Sequence, residues 1–152
     1  MTRTCAVSRA GPGDAALLAA LHARCFAKPW DEIAMARFVA APGVLCLVGT
    51  APHEVAAPAA LLIARAAADE AELLTMGVIP ERRRAGLGRA LLSHALAVLS
   101  SRGATQLFLE VDETNAAAVA LYRASGAKPA GRRERYYDSG ANAAIFSLDL
   151  RS

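Results

Sequence analysis

The sequence predicts a mixed α/β domain in which a twisted, mostly antiparallel sheet of six or seven strands is flanked by about four helices. Three observations support this prediction. Short apolar runs bounded by turn residues predict strands, and apolar residues three or four apart predict helices between them. A tight turn at residues 68–70 joins two strands and makes them antiparallel. A helix links the strands that end at Ile79 and Val111, so these two should be parallel neighbours.

Length and composition indicate a single domain over residues 1–152, large enough to bury a core without disulfides. The first residues lack the apolar segment and cleavage site of a signal peptide. The longest stretch without charge, residues 38–53, is interrupted by Pro42 and Gly43, which argues against a membrane span. We therefore expect a cytoplasmic protein that does not associate with membranes.

Charge and cysteine content narrow the kinds of partner. The formal net charge of +3 is too small to indicate nucleic-acid binding. Basic residues cluster at positions 82–89 and 132–135, which suits a small polyanionic ligand at least as well. Cys5, Cys25 and Cys46 stand singly, without a paired histidine, so we expect buried structural thiols and no metal site.

The N-terminal half is predicted to alternate strands with two helices. Asp14 is expected to cap a first helix that ends near Phe26. Asp31 or Glu32 is expected to begin a second helix, which Pro42 ends. Apolar runs bounded by turn residues predict three strands in this half, at residues 3–9, 44–48 and 59–65.

The most informative stretch surrounds two glycines. Residues 73–79 predict a buried strand that Pro80 ends, and Gly86 and Gly88 then open a helix with apolar residues at helical spacing. The N-terminus of a helix presents unpaired N–H groups and a positive dipole end, and glycine permits a close approach to the backbone. Strand, basic loop, glycines and helix together predict an anion-binding site.

The glycine spacing excludes two common phosphate-binding motifs. It lacks the Gly-x-x-x-x-Gly-Lys-Ser/Thr pattern of nucleoside triphosphatases. The dinucleotide-binding Gly-x-Gly-x-x-Gly motif requires a glycine three positions after Gly88, and Leu91 stands there. What stands at residues 83–88 is Arg-Arg-Ala-Gly-Leu-Gly. The spacing alone leaves open a glycine-containing turn beside a solvated basic patch.

An acidic residue lies inside the next predicted strand, residues 106–111. Glu110 is flanked by Leu109 and Val111, so we expect its carboxylate to be partly desolvated and therefore a better base at neutral pH. The alternative is a glutamate at the open end of a strand, in contact with water and without a catalytic role.

Residues 112–115 form a polar turn into the last predicted helix, residues 116–125. Asn115, Val119 and Tyr122 are three or four positions apart and therefore share one face of that helix. Asn115 could simply cap the helix, and Tyr122 could be a core aromatic with its hydroxyl at the rim. The other possibility is that both side chains stand beside a ligand-binding cleft.

These segments, in this order and spacing, resemble the GNAT family of N-acetyltransferases, whose pyrophosphate loop has the pattern Gln/Arg-x-x-Gly-x-Gly/Ala. The resemblance rests on residues 73–78, 83–88, 107–111 and 115–122. In detail the chain is similar to the RimI-type branch, which acetylates the N-terminal alanine of a small-subunit ribosomal protein. That finer likeness rests on residues 29–30, 109–115 and 135–137.

The resemblance implies a binding site for acetyl-CoA, and we expect the ends of the two parallel strands to splay apart to admit it. Main-chain amides of Met76, Gly77 and Val78 would face the thioester and pantetheine, and one would polarise the carbonyl as an oxyanion hole does. Asn115 would contact the same cofactor. The loop that would hold the pyrophosphate consists of Arg84, Ala85, Gly86, Leu87, Gly88 and Arg89.

The resemblance also implies a catalytic pair. Glu110 would be the general base, acting through water, and Tyr122 the general acid that protonates the departing CoA thiolate. The amine would attack the thioester directly, because no cysteine lies in a motif for an acyl-enzyme. Trp30, Tyr136 and Tyr137 are the implied substrate-side residues, with ordinary aromatic packing as the alternative.

The implied acceptor is the N-terminal amine of a small-subunit ribosomal protein. The pKa of an α-amine is about 7.7–8.0, against about 10.4 for lysine, so a modest base such as Glu110 suffices. One departure from the RimI-type pattern is Asn142-Ala143, where an acidic pair is usual, and this departure bears on target choice. We expect a monomer or weak dimer.

Three other functions are compatible with these residues. A GNAT enzyme acting on a small amine, an amino acid or an antibiotic would use the same cofactor site. A non-catalytic acyl-CoA sensor is disfavoured because both Glu110 and Tyr122 are present. A basic nucleic-acid-binding module is disfavoured by the small net charge.

Overall fold

The computed structural model describes residues 5–52, 57–137 and 139–151, which form a seven-stranded sheet and four α-helices. The strands are β1 (Ala6–Arg9), β2 (Val44–Thr50), β3 (Pro58–Ala67), β4 (Glu70–Val78), β5 (Gln106–Asp112), β6 (Lys128–Arg133) and β7 (Ala143–Asp149). The helices are α1 (Ala15–Cys25), α2 (Glu32–Ala40), α3 (Leu87–Ser101) and α4 (Ala116–Ala124).

The strands are ordered β1-β2-β3-β4-β5-β7-β6 across the sheet. All neighbouring pairs are antiparallel except β4 and β5, which helix α3 connects in parallel. A parallel pair needs such a crossover, because the chain must return to the edge of the sheet from which the first strand began. The predicted mixed α/β fold, with its mostly antiparallel sheet and four helices, is confirmed.

The parallel pair is short, and its two strands separate. Pairing runs only from Glu70 opposite Gln106 to Glu72 opposite Phe108. Beyond that point β4 remains paired with β3, and β5 remains paired with β7. The predicted splay is therefore present, and it opens the sheet between the C-terminal halves of β4 and β5.

A β-bulge lies where the two strands begin to separate. Ile63 of β3 pairs with Thr75, whereas Ala64 pairs with Leu73, so Leu74 is an extra residue in β4. A bulge bends its strand and increases the local twist. The bend at Leu74 therefore coincides with the point at which β4 parts from β5.

Helix α3 packs on β2, β3 and β4 and fixes the position of the glycine loop before it. Its buried face repeats at intervals of three and four and comprises Leu87, Leu91, Leu92, Ala95 and Leu99. Full burial of a leucine side chain is worth about 1.5–3 kcal/mol. The helix is thus anchored from its first turn, and its N-terminus is held at the edge of the splay.

The helix starts differ in how they are capped. Helix α2 begins at Glu32, one of the two starts that the sequence predicted. Asp31 caps it, because its Oδ1 accepts a hydrogen bond from the amide of Ala34 at 2.9 Å. Asp14 occupies the N-cap position of α1, but its carboxylate accepts instead from the amide of Gly11 at 2.7 Å. Asp14 therefore stabilises the short 3₁₀ turn before α1.

The prediction of a fully buried strand at residues 73–79 is wrong for most of that strand. The side chains from Leu73 to Val78 are half-buried, and only Ile79, just after the strand, is buried. The physical reason is the splay, because the departure of β5 exposes this part of β4. The predicted strand at residues 3–9 is observed from Ala6 to Arg9, and residues 3 and 4 lie outside the described residues.

Candidate active site

Two cavities are lined by the splayed strands. The first, here called the glycine-loop cleft, has a volume of about 610 Å³ and lies between the end of β4, the start of α3 and one face of α4. The second, here called the tyrosine cavity, has a volume of about 760 Å³ and is lined by Leu73, Leu74, Glu110, Arg133, Tyr136 and Tyr137, among others. Strand β4 contributes to both cavities, so it links them.

Nearly all of the predicted cofactor-side residues line the glycine-loop cleft. They are Met76, Gly77, Val78, Arg84, Gly86, Leu87, Gly88, Arg89 and Asn115. Ala85 does not line it, because that exposed residue faces Cys5, whose thiol donates to the Ala85 carbonyl oxygen at 3.2 Å. The structure thus brings together residues that are up to 39 positions apart in the sequence, from Met76 to Asn115.

The glycine loop presents main-chain donors to the cleft. Gly86 has a φ of 84°, a left-handed conformation that glycine adopts without strain, and the helix begins at the next residue. The first helical hydrogen bond is donated by the amide of Ala90 to the Gly86 carbonyl at 3.0 Å. The amides of Leu87, Gly88 and Arg89 therefore precede the helical ladder.

Arginine side chains add positive charge around these amides. Arg82, Arg83, Arg84 and Arg89 all line the cleft. Arg83 is oriented by a hydrogen bond from its Nε to the Val78 carbonyl at 3.1 Å, which ties the loop to the end of β4. Free amides at a helix start, together with several guanidinium groups, are a favourable environment for a pyrophosphate.

The end of β4 also offers main-chain groups to the cleft. Because β5 pairs with β4 only as far as Glu72, the alternate peptide groups on that edge lack a ladder partner in β5. Met76, Gly77 and Val78 form this part of the strand. Amides in such a position can polarise a carbonyl oxygen that lies against them.

Cys25 at the end of α1 also lines the glycine-loop cleft, which the sequence did not predict. The expectation of three buried thiols is correct only for Cys46, because Cys5 and Cys25 are half-buried. Burial raises the pKa of the Cys25 thiol, although Arg83 and Arg24 oppose that effect. A protonated thiol is a poor nucleophile.

Asn115 is a helix cap that also borders the cleft. Its Oδ1 accepts a hydrogen bond from the amide of Ala118 at 3.1 Å, as an N-cap residue does. Asn115 also lines the glycine-loop cleft, and its Nδ2 takes no part in the cap. The two possibilities that the sequence left open for this residue are therefore compatible.

Tyr122 lies at the cleft and is almost completely buried, with 6% of its surface exposed. Burial, followed by the nearby phenol of Tyr137, raises the pKa of Tyr122 to about 12. The hydroxyl is therefore protonated at neutral pH and can donate a hydrogen bond into the cleft.

Glu110 lies in the tyrosine cavity and is partly desolvated, as expected, with 28% of its side chain exposed. The structure adds a partner that the sequence did not predict, because the Nε of Arg133 lies 2.9 Å from Oε1 of Glu110. The guanidinium group of Arg133 also lies 5.4 Å from the centre of the Tyr136 ring.

Tyr137 interacts electrostatically with both of the predicted catalytic residues, Glu110 and Tyr122. Burial raises its pKa, and the carboxylates of Asp112 and Glu110 raise it further. Tyr137 in turn contributes to the raised pKa of Tyr122. Glu110 and Tyr122 line different cavities and share Tyr137 as a neighbouring phenol.

The loop that carries the two tyrosines is held by a polar cluster. Arg132 donates two hydrogen bonds to the Glu113 carboxylate, at 2.9 and 2.8 Å, and Asn142 donates one at 2.9 Å. The Oδ1 of Asn142 also accepts from the amide of Arg135 at 2.8 Å. Asn142, which replaces the usual acidic residue, thus closes the loop; Asp138 lies outside the described residues.

Trp30 lines neither cavity, in contrast to its predicted place on the substrate side. It is half-buried in an aromatic group, with its ring centre 4.8 Å from that of His22 and 4.9 Å from that of Phe38. These contacts are the ones that the packing alternative describes, and the substrate-side role of Trp30 stays a prediction.

His22 connects that aromatic group to β4 and was not singled out by the sequence. It is 3% exposed, and its Nδ1 accepts from the amide of Trp30 at 3.0 Å. Its Nε2 lies 3.1 Å from the hydroxyl of Thr75, one residue before Met76. Burial lowers the pKa of His22, so the ring is neutral and Nε2 carries the hydrogen.

The fold and the site define a class of protein, which sequence comparison identifies. The family model for the acetyltransferase (GNAT) family matches residues 15–127. The chain therefore belongs to the GNAT family of acetyltransferases, and the predicted family is confirmed.

Two relatives show which members of the family this chain is similar to. The [ribosomal protein bS18]-alanine N-acetyltransferase of Escherichia coli is 43% identical over 95 residues, which cover 60% of this chain and 64% of that protein. The alignment therefore spans slightly less than two thirds of that relative's length. A mycothiol acetyltransferase from Thermobispora bispora is 54% identical over 55 residues, covering 36% of this chain and 19% of that protein.

Solved structures extend the likeness over almost the whole chain. The crystal structure of the Escherichia coli ribosomal-protein-S18-alanine N-acetyltransferase superimposes with a TM-score of 0.86 and 34% identity, covering 98% of this chain and 96% of that chain. Arabidopsis thaliana NAA60 in complex with acetyl-CoA gives a TM-score of 0.84 at 15% identity, with 98% and 100% coverage, and shows the shared fold.

The described residues form neither a metal-binding cluster nor a membrane-spanning helix. They contain no group of three or more His, Cys, Asp or Glu side chains placed to hold a metal ion. None of the helices they form has both the length and the apolar character needed to traverse a bilayer.

Proposed function

We propose that this protein transfers the acetyl group of acetyl-CoA to the N-terminal α-amine of ribosomal protein bS18, on its terminal alanine. The observation that carries the proposal is the arrangement around the splay, which brings an anion-binding loop, free β4 backbone, Glu110 and Tyr122 to the edges of two adjoining cavities. The 34% identity to the Escherichia coli enzyme over 96% of that chain supports the choice of acceptor.

Acetyl-CoA would be held in the glycine-loop cleft. The amides at the start of α3 and the surrounding arginines fit a pyrophosphate, as described above. Met76, Gly77 and Val78 would hold the pantetheine and thioester with main-chain groups, and Asn115 would add its Nδ2. The thioester supplies an activated acetyl group, and its carbonyl would be polarised by a β4 amide.

Glu110 would accept the proton that the α-amine must lose before attack. In the tyrosine cavity its carboxylate is partly desolvated and lies near Tyr136 and Tyr137. An α-amine with a pKa of about 7.7–8.0 demands little of a base at neutral pH. A glutamate acting through water is therefore sufficient.

Tyr122 would protonate the leaving CoA thiolate by donating its hydroxyl hydrogen to the sulfur. Its raised pKa, about 12, keeps the phenol protonated throughout the neutral range. The amine would attack the thioester carbon directly, because the one cleft-lining cysteine, Cys25, is held as the thiol by burial.

The acceptor peptide would enter through the tyrosine cavity. Glu70, Glu72 and Glu110 line that cavity together with Arg65 and Arg133, so the lining has one acid more than it has bases, which suits a cationic N-terminus. Tyr136 is 51% exposed and Tyr137 is half-buried, so both rings can contact a peptide. Trp30 would act indirectly, by fixing the loop between α1 and α2.

The test is acetylation of a synthetic peptide that carries the N-terminal sequence of this organism's bS18, detected by mass spectrometry. We expect one acetyl group on the terminal alanine and none on a peptide whose amine is already blocked. Glu110→Gln and Tyr122→Phe should each lower kcat by about a hundredfold or more while the protein remains folded. Absence of turnover with the unblocked peptide would refute the proposed acceptor.

A second candidate is the acetylation of a small-molecule amine. The 54% identity to the mycothiol acetyltransferase favours it, but that match covers only 36% of this chain. A short match of this kind fits a shared acetyl-CoA site better than a shared acceptor site. Turnover confined to amino sugars, polyamines or aminoglycosides, with none on the peptide, would favour this candidate.

We further propose that residues 1–152 fold as one domain, act in the cytoplasm, and form a monomer or weak dimer without nucleic-acid or membrane partners. One cooperative unfolding transition would support the single domain. Sedimentation at several concentrations reports the oligomeric state, and retention on RNA at moderate salt would contradict the absence of nucleic-acid binding.

A further inference from the structure

We propose that Arg133 is a resident counter-ion of Glu110 and that the ammonium group of the acceptor displaces it. This inference rests on the proposed function, because it concerns the amine that enters the tyrosine cavity. In the free enzyme the guanidinium group occupies the place beside the Glu110 carboxylate that the incoming cation needs. Arg133 is then a residue that sets acceptor affinity and specificity.

The ion pair has the geometry of a contact that can be exchanged. The Nε of Arg133 lies 2.9 Å from Oε1 of Glu110, and both residues line the tyrosine cavity. The Arg133 side chain is 56% exposed, against 28% for Glu110. Ion pairs with that much solvent access are weak, so the arginine can leave without a large loss of stability.

Arg133 has a second contact within the same cavity. Its guanidinium group lies 5.4 Å from the centre of the Tyr136 ring, in the range of a cation–π interaction. This ring can retain the cation when the carboxylate is taken by another partner. Displacement therefore requires a change of side-chain conformation and leaves the backbone of β6 in its place.

The other charged groups of the cavity have different roles. Arg65 pairs with Glu72 at 2.7 Å, and Tyr136 and Tyr137 are the phenols near Glu110. Among the described residues that line the cavity, the cation that forms an ion pair with Glu110 is Arg133. Glu70, Glu72 and Asp112 are the remaining acids on the surrounding strands.

Exchange of one cation for another gives the cavity a preference for charged acceptors over acetylated products. An α-ammonium group can replace the guanidinium group of Arg133 and keep the Glu110 carboxylate paired. The product is an uncharged amide, which cannot replace the guanidinium group as the charged partner of Glu110. Arg133 should therefore return to Glu110 after the reaction and disfavour rebinding of the product.

The kinetic test compares Arg133→Gln with the wild type on the alanine-starting peptide. Removing the competing cation should lower KM for the peptide about twofold to fivefold, the range expected for an exposed pair, with KM for acetyl-CoA unchanged. Arg133→Lys keeps the charge and should restore a KM close to that of the wild type.

Arg151→Gln is the matched control. It removes the same charge from another exposed ion pair, the one with Asp149, and Arg151 does not line the cavity. Its KM for the peptide should equal that of the wild type. A KM that is unchanged or higher in Arg133→Gln would overturn the displacement, since it would mean that Arg133 does not compete with the amine.

A binding experiment separates this inference from the proposed function. In protein labelled with ¹⁵N at arginine Nε, the signal of Arg133 is identified by its absence in Arg133→Lys. Titration with alaninamide, a soluble α-ammonium compound, should move that signal and leave the Arg132 signal in place. If the signal moves but the bS18 peptide is not acetylated, the acceptor assignment fails and the displacement stands; a signal that does not move refutes the displacement.

Discussion

Replacement of Gly77 by alanine is expected to strain the contact between β4 and the end of α1. A Cβ atom at Gly77 would lie 2.9 Å from both Cβ and Sγ of Cys25 and 3.1 Å from Cε2 of Phe26. The Cys25 Cβ is fixed to the helix backbone, so rotation of a side chain cannot relieve that contact. The helix and the strand must therefore move apart.

An extra methyl group in a well-packed site lowers the free energy of unfolding by about 1–3 kcal/mol. For a chain of this length each kcal/mol lowers Tm by about 2–4 °C, so Gly77→Ala should lower Tm by roughly 2–12 °C. Because Gly77 also lines the glycine-loop cleft, KM for acetyl-CoA should rise in the same variant.

Urea and thermal unfolding measure the loss, and a second glycine supplies the control. Gly13→Ala introduces the same methyl group at a position with no atom within 4 Å, so its stability should match that of the wild type. Cys25→Ala removes Sγ but keeps Cβ, so adding it to Gly77→Ala should recover part of the loss. If Gly77→Ala proves as stable as Gly13→Ala, the end of α1 does not pack on Gly77 as closely as described here.

Two further predictions concern buried or capping groups. Because burial lowers the pKa of His22 below its usual 6.5, the unfolded chain takes up the proton first, and stability should be lost as pH falls from 6.5 toward the folded pKa. Urea unfolding at pH 7.5 and at lower pH should show this loss in the wild type and a smaller one in His22→Gln. Asn115→Ala should cost about 1 kcal/mol by removing the α4 cap and should raise KM for acetyl-CoA. Asn115→Ser keeps a capping oxygen, so it should retain stability while KM still rises; an unchanged KM would show that the amide does not contact the cofactor.

The parts of the fold that depend on local patterns could be read from the sequence. The helix that follows Gly86 was predicted because apolar residues recur at helical spacing after a glycine that tolerates a left-handed conformation. The parallel pairing of β4 and β5 followed from the helix between them. Each of these inferences needs only residues close together in the chain.

The burial of individual side chains was predicted less well. The residues from Leu73 to Val78 form an apolar run and were expected to be buried, but the splay leaves them half-buried. Cys25 was expected to be a buried thiol and instead lines the glycine-loop cleft. Burial depends on which element packs against a residue, and an apolar run does not specify that element.

By itself the sequence determined the glycine loop and the order of the elements around it. Through its family resemblance it predicted Glu110 and Tyr122 as the carriers of the proposed chemistry. The tertiary structure alone decided that Arg133 pairs with Glu110 and that His22 bonds Thr75. The physical reason is that β7 lies between β5 and β6 in the sheet, so Arg133 reaches Glu110 across a strand that follows both in the chain. Contacts of that kind depend on sheet order and register, which no local pattern records.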